Sequence, residues 1–347
     1  MRKQGNRSSV YGVGASAIRA GREGEIMSSQ VEAAQLPDYA PLPDSALGPA
    51  LNEQGYHVER VERNLFWVTD SVYLSAFLAT TEGVVVFDAP PTIGHNLQRA
   101  IDEVTAIEGT TNRVTHLVYS HHHADHAGAA SLFPDAILIG HEETRRRLLR
   151  DADPTRPAPE VTFGDTYTLA VGGERVELAF RGPNHTPDNI FIHFPDHDAL
   201  MLVDVINPGW VPIFNANLSE DMPGYIDAPG QALEYSWTKL IGGHLGRLGT
   251  RADVELHQAY IADIVAASYQ ALESVDPTPY LAKYPPNHWG WVNGYLNEVT
   301  RTATESVVAK YTGMLAAADI EPLTYTTTFM IMQSLRLDKG VGSRIHP

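Results

Sequence analysis

The chain has 347 residues, 43 % of them hydrophobic, and a formal net charge of -17; that length suits one large α/β domain or two modest ones with a sizeable core. The acidic balance argues against a partner that follows nucleic-acid phosphates or an anionic membrane surface, and no apolar run approaches the roughly 18 residues of a membrane span. Cysteine is absent, which excludes disulfides, thiolate nucleophiles and zinc–thiolate sites, so any metal must be held by nitrogen and oxygen.

In chain order, residues 1–26 carry Arg2, Lys3, Arg7, Arg19 and Arg22 among glycines and serines, without the apolar stretch of a secretory signal. They read as a disordered extension, and the segment with Pro37, Pro41, Pro43 and Pro49 as an extended arm. From about Tyr56 the texture is strand-like: Asn64 to Val68, Val72 to Thr80 and Val84 to Phe87 are β-branched or aromatic runs separated by turn residues. A helix is predicted from Ile93 to Ile107, closed by Gly109, then a strand from Thr115 to Ser120 and a basic helix from Glu142 to Asp151. Val161 to Phe180 alternates like a hairpin turning at Gly172-Gly173; Ile190 to Phe194 and Ala199 to Val203 are two further strands. Asn207 to Gly230, rich in proline and glycine, reads as loop. Thr250-Arg-Ala-Asp253 is a capping box for a helix to about Ser274, and a second helix is predicted from Val292 to Ala318. The expected organisation is an extension and arm over 1–50, a catalytic domain over 51–250 and a helical region over 251–347 that helps form the substrate pocket.

The informative segment is Ser120-His-His-His-Ala-Asp-His-Ala-Gly128, with four histidines and a carboxylate within six residues at the end of an apolar strand. An apolar core would penalise such a cluster. In extended chain His121 and His123 point the same way and can reach one ion, while His122 points elsewhere. Asp125 and His126 follow after the chain has turned and can face a second ion. The remaining donors are His185 in Gly182-Pro-Asn-His-Thr-Pro-Asp188, Asp204 after an apolar run and His244 in Ile241-Gly-Gly-His-Leu-Gly246, each expected at the end of a strand. Nitrogen and carboxylate ligands are the set expected for zinc and also suit iron or manganese. His116, His122, His141, His193 and His197 are expected at the surface or behind the ligands, and Asp88 as a carboxylate that orients one of them.

These residues resemble the metallo-β-lactamase superfamily: HHHADH fits its His-x-His-x-Asp-His signature, and His185, Asp204 and His244 follow in the family's order over roughly residues 56 to 250. The resemblance implies an α/β fold, an αββα sandwich with the site along one edge of two sheets. It implies two divalent metals, zinc first: one on His121, His123 and His185, the other on Asp125, His126 and His244, with Asp204 bridging. A hydroxide between the metals would be the nucleophile, and Asp125 would orient it and later protonate the leaving group.

Lack of cysteine and the presence of Asp204 point away from true β-lactamases, and His123 stands where flavodiiron-type members carry a carboxylate. The spacings resemble those of lactonases, with glyoxalase II-like thioesterases, aryl esterases and phosphotriesterases as alternatives on the same site. An iron-dependent sulfur dioxygenase is a further alternative, and a non-catalytic scaffold the least favoured. Lactonases place a tyrosine shortly after the bridging aspartate; Val205-Ile-Asn-Pro-Gly-Trp210 has none, leaving Asn207 as the candidate donor. Trp210, Phe214, Tyr225, Tyr284, His288, Trp289 and Trp291 are expected to build a pocket for a small apolar or aromatic substrate. A cytoplasmic protein without nucleic-acid or membrane partners is the expectation, with the oligomeric state left open and a homodimer as the candidate assembly.

Overall fold

The computed structural model describes residues 37–342; the basic stretch from Arg2 to Arg22 lies outside them. Twelve strands form two sheets among the described residues, and the helices in chain order are α1 (His95–Glu108), α2 (Ala124–Ala127), α3 (Glu142–Asp151), α4 (Phe214–Leu218), α5 (Met222–Leu233), α6 (Arg251–Ser274), α7 (Thr278–Lys283), α8 (His288–Tyr311) and α9 (Leu323–Leu337). The first runs in chain order through β1 (His57–Glu62), β2 (Leu65–Thr69), β3 (Leu74–Ala79), β4 (Val84–Phe87), β5 (Val114–Val118), β6 (Ile137–His141) and β7 (Val161–Phe163). The second has the order β12 (Lys239–Ile241), β11 (Ala199–Met201), β10 (Phe191–Phe194), β9 (Glu174–Ala179) and β8 (Thr166–Val171). Pairing is antiparallel from β1 to β4 and parallel from β4 to β7; β11 and β12 are also parallel.

Period-2 alternation divides the strand side chains between three apolar layers. Leu74, Ala76 and Leu78 of β3 face Ile192, Phe194, Ala199 and Met201 of the second sheet in the layer between the sheets. Phe77 and Ala79 point the other way, onto Leu97, Ala100, Ile101 and Val104 of α1 (His95–Glu108). Phe191, Leu200 and Leu240, on the outer face of the second sheet, are covered by α5 (Met222–Leu233), α6 (Arg251–Ser274), α8 (His288–Tyr311) and α9 (Leu323–Leu337). The layers are therefore α, β, β, α, with the helical C-terminal region as one outer layer.

Several expected boundaries hold, for physical reasons visible here. α1 ends where Gly109 adopts φ 68, the left-handed conformation glycine accepts without penalty. The Thr250–Asp253 box caps α6 with both reciprocal hydrogen bonds present. The 161–180 segment departs from a single hairpin: β8 and β9 turn at Gly172-Gly173, but Val161–Phe163 pairs with β6 in the other sheet. The loop expected over Asn207 to Gly230 contains the start of α5, which tolerates Pro223 at its start and Pro229 inside it. The second C-terminal helix begins earlier and ends earlier than expected, at His288 and Tyr311, and α9 follows it. Residues 39–50 run along the domain, where Ala46 O accepts from Trp210 Nε1 and Asp319 Oδ2 from Ala40 N. No helix among the described residues is long and apolar enough to cross a membrane.

Candidate metal centre

The strand ends of both sheets converge on one edge. β5 is held between β4 and β6, and the chain leaves it through buried Tyr119 and Ser120. Ser120 N donates to Asp88 Oδ1 at 2.8 Å, fixing where His121 begins. His123 is still extended (φ -62, ψ 144) and is the N-cap of the short helix α2 (Ala124–Ala127), so Asp125 and His126 ride on a helical turn. That change of period aims the two halves of the motif at different points.

Asp204 and His244 follow β11 and β12 by three residues each. Asp204 has φ 63, and Gly243 has φ 87 with no room for a side chain: a Cβ there would lie 2.6 Å from Val203 Cγ1. His185 is not at a strand end, as the sequence suggested, but within the loop between β9 and β10. Asn184 and Asn189 shape that loop. His185 N and Asn189 Nδ2 both donate to Asn184 Oδ1, at 2.7 and 2.9 Å, and Asn189 also donates to Val203 O.

The donors fall into two groups that share one carboxylate. His121, His123, His185 and Asp204 form the first, and Asp125, His126, Asp204 and His244 the second, with the ligand atoms of each group within 4.8 Å of one another. Asp204 Oδ2 lies 3.5 Å from His121 Nε2, 3.2 Å from His126 Nε2 and 3.2 Å from His185 Nε2, while its Oδ1 lies 3.0 Å from His244 Nε2. His126 Nε2 approaches His244 Nε2 to 3.0 Å, and His185 Nε2 approaches His123 Nδ1 to 3.1 Å. His121 Nε2 is buried without a hydrogen-bond partner. Imidazole nitrogens so close together and so dry are poorly served by one another and well served by shared cations. The residues present fit two divalent ions.

Electrostatics agree with that fit. Burial holds His121 well below its ordinary pKa and His185 down at about 4, keeping both rings neutral as metal ligands must be. For His126 burial also lowers the pKa, but the Asp204, Asp88 and Asp125 carboxylates outweigh it and raise the value to about 9. A field that holds a proton on a buried imidazole also favours a metal cation. Asp204, despite burial that raises it, is kept well below the carboxylate range by His126, His244 and His185.

Behind the ligands, Ser120 Oγ is 3.0 Å from His121 Nδ1; Asp88 Oδ2 stands 4.0 Å from His126 Nδ1, beyond hydrogen-bond reach, while its Oδ1 holds Ser120 N ahead of the motif. His122 turns away from the two groups: its Nδ1 meets Asp188 Oδ1 at 2.9 Å, and Asp188 also accepts from Thr144. Asn207 lines the site, and its amide nitrogen donates to Asn217 Oδ1 at 3.1 Å. Asn217 in turn donates to the backbone oxygen of Asp204 at 3.0 Å. Sequence reasoning missed Asp188, Asn217 and Tyr73, and no local pattern marks them. The Tyr73 hydroxyl is 3.4 Å from Asp125 Oδ2 and its ring lies against His126 and His244. Burial and the Asp125 and Asp204 charges push its pKa up to about 12.

A cavity of about 720 Å³ opens over both groups. Its walls away from the metal ligands include Val72, Tyr73, Trp210, Val211, Leu218, Ala317, Ile320 and Leu323, and among the described residues no lysine or arginine lines it. Only Trp210 of the expected aromatic set is in the wall. Tyr225 is buried in the core beneath it, and Trp289, at the start of α8, is 82 % exposed. The region after residue 250 contributes small aliphatic side chains rather than the Tyr284–Trp291 aromatics, because α8 places that segment at its exposed end.

Residues 68–209 match the family model described as metallo-beta-lactamase superfamily. The chain is 27 % identical over 218 residues to 2,4-dinitroanisole O-demethylase subunit alpha of Nocardioides sp. (strain JS1661), covering 60 % of this chain and 65 % of that one. It is 26 % identical over 148 residues to metallo-beta-lactamase type 2 of Elizabethkingia meningoseptica, covering 42 % and 57 %. The chain thus spans between about half and two thirds of the length of these curated relatives. In fold it is similar to a double mutant of the sec-alkyl sulfatase PisA1, with a TM-score of 0.56 at 12 % identity, covering 84 % of this chain and 52 % of that one. It is also similar to DIM-1 metallo-beta-lactamase, with a TM-score of 0.50 at 18 % identity, covering 59 % and 95 %.

Proposed function

The chain belongs to the metallo-β-lactamase superfamily through residues 68–209, and from that premise we propose that it is a two-metal hydrolase of a neutral, largely apolar ester, a lactone first among them. The observation that carries this reading is the pair of ligand groups sharing Asp204 at the floor of a cavity with largely apolar walls and, among the described residues, no lysine or arginine. A phosphate diester or a sulfate would enter that cavity without a lysine or arginine among the described residues to meet it.

Two divalent ions bound there, with zinc favoured and iron or manganese also suited, would supply a nucleophile from water near neutral pH and would polarise the carbonyl. His121, His123 and His185 would hold one ion, and Asp125, His126 and His244 the other, with Asp204 belonging to both groups. Asp125 is the ligand with most access to the cavity, its side chain 41 % exposed, and is assigned the proton that passes to the departing oxygen. Asn207 is assigned a supporting hydrogen bond in the wall, shared with Asn217. Trp210, Val211 and Ile320 exclude water and receive the apolar part of the substrate.

Protein purified without chelator should contain close to two equivalents of metal per chain. It should open γ-decalactone or an aryl ester, lose the activity with chelator and regain it on metal addition. A firm single equivalent unchanged by added metal removes the bridging role of Asp204. Hydrolysis of a phosphotriester or oxidation of a persulfide in place of any ester removes the ester reading. A second reading, cleavage of an aryl methyl ether, is favoured by the demethylase subunit among the relatives; methanol release from 2,4-dinitroanisole tests it directly.

A further inference from the structure

Outside the ligands, few hydrogen-bond donors among the described residues reach the cavity, and nearly all of them are already engaged; Asn207 Oδ1, which has no partner, can only accept. Trp210 Nε1 donates to Ala46 O at 3.0 Å, Asn207 to Asn217, and Asn217 to Asp204 O. The exception is Tyr73. Its hydroxyl meets only Asp125 Oδ2, at 3.4 Å, a long contact for a hydroxyl donating to a carboxylate. Its backbone is fixed regardless of what the hydroxyl does. Tyr73 forms a bridge with His244, Leu74 N donates to Gly243 O at 2.8 Å, and Leu245 N donates to Val72 O at 2.8 Å. The ring lies against the second ligand group, tilted to His244 with centroids 4.6 Å apart and edge-on to His126 with centroids 5.6 Å apart.

We propose that Tyr73 is a catalytic residue, donating a hydrogen bond to the ester oxygen that departs over the second ligand group. The inference rests on the ester-hydrolase reading. In the reaction a water oxygen bonds to the carbonyl carbon and the bond from that carbon to the alkoxy oxygen breaks. The alkoxy oxygen takes a proton that originates in the water, so ester and water become acid and alcohol. Tyr73 keeps its own proton throughout and stabilises the charge that the alkoxy oxygen gains. A preorganised donor in a dry site contributes most where that charge is largest, which is for a poor leaving group.

Tyr73→Phe keeps the ring and removes only the donor. Expected are two equivalents of metal as in the wild type, little change in KM, and a kcat lowered by about 10²-fold for methyl decanoate. The loss should shrink for trifluoroethyl decanoate and nearly vanish for 4-nitrophenyl decanoate, whose leaving oxygen needs no help. Calorimetric binding of 4-hydroxydecanoate, which needs no turnover, should weaken by about three- to tenfold in the variant. A variant with wild-type kcat on methyl decanoate overturns the assignment, as does an equal loss across all three esters or a loss of metal, which would make Tyr73 a support for Asp125. Wild-type protein that neither hydrolyses these esters nor binds 4-hydroxydecanoate overturns the ester-hydrolase reading itself.

Discussion

Asp204 sits where a single buried carboxylate faces four imidazoles, within 3.0 to 3.5 Å of His121, His126, His185 and His244. Its left-handed backbone, φ 63, is uncommon for a residue with a side chain, and the Asn217 amide bonded to its carbonyl helps to hold it. Asp204→Ala should therefore lose metal from both groups, leaving one equivalent or less by elemental analysis; two retained equivalents would refute the shared role. His122 gives the opposite expectation. Its bond is to Asp188, fully buried beneath the motif, so His122→Ala should keep both metals while leaving that carboxylate short of a partner. The expected cost is about 1 to 3 kcal/mol in a denaturant titration, whereas His121→Ala should lose metal outright. The alternation that separates His121 and His123 from His122 was legible in the sequence. The partner that makes His122 useful was not, because it lies 66 positions away.

At the scale of elements, the segment after Asp204 carries the least expected geometry. Asn215, Ala216, Asn217 and Leu218 all have φ between 53 and 60, a left-handed helical turn in which each residue with a side chain costs about 1 to 2 kcal/mol. Residues in α9 hold it: Thr327 Oγ1 accepts from Ala216 N at 3.2 Å and Thr326 Oγ1 from Asn215 N at 3.0 Å. Two substitutions should move stability in opposite directions. Leu218 is 59 % exposed, so Leu218→Gly gives up little burial and should stabilise by about 1 kcal/mol. Thr327→Val conserves shape but strands the Ala216 N–H, and should destabilise by about 1 to 3 kcal/mol. Thermal or denaturant unfolding of the metal-free proteins distinguishes them, and a stabilised Thr327→Val would dismiss the clamp. The sequence reads as loop here because its turn residues are real turn residues. The left-handed run is imposed by hydroxyls more than a hundred positions downstream.

For the molecule as a whole, the helical layer carries a pH sensitivity separate from the metal site. His257 of α6 is fully enclosed, lies beside Tyr225 and Tyr260, and has no hydrogen bond at either ring nitrogen. Burial lowers its pKa from 6.5 to about 4. The folded state thus prefers the neutral ring. This stability is fully present above the unfolded pKa and is lost as pH falls from about 6.5 towards 4, a total of order 3 kcal/mol. Urea titrations of chelated wild type and His257→Met at pH 7 and pH 4.5 should show the wild type losing more stability on acidification. Equal losses would mean that protonation of His257 contributes nothing.

The sequence by itself determined the candidate metal-ligand set and the outline of the fold. Spacing within 121–126 is local, so a strand followed by a helical turn was enough to sort His121 and His123 from Asp125 and His126. Apolar alternation identified most strands, and the Thr250 cap and Gly109 stop bounded helices through short-range hydrogen bonds and backbone preference. Tertiary structure alone decided everything that depends on distant partners. It split Val161–Phe163 from the hairpin beside it, since β-pairing depends on which strand edge is reachable in space rather than on propensity. It set the aliphatic cavity wall, because α8 ends at Tyr311 and leaves Ala317, Ile320 and Leu323 to face the site. It brought Tyr73 over Asp125, His126 and His244 by pairing the start of β3 with the loop after β12. A tyrosine at a strand end is ordinary in sequence; what it can donate to is fixed only when that pairing forms.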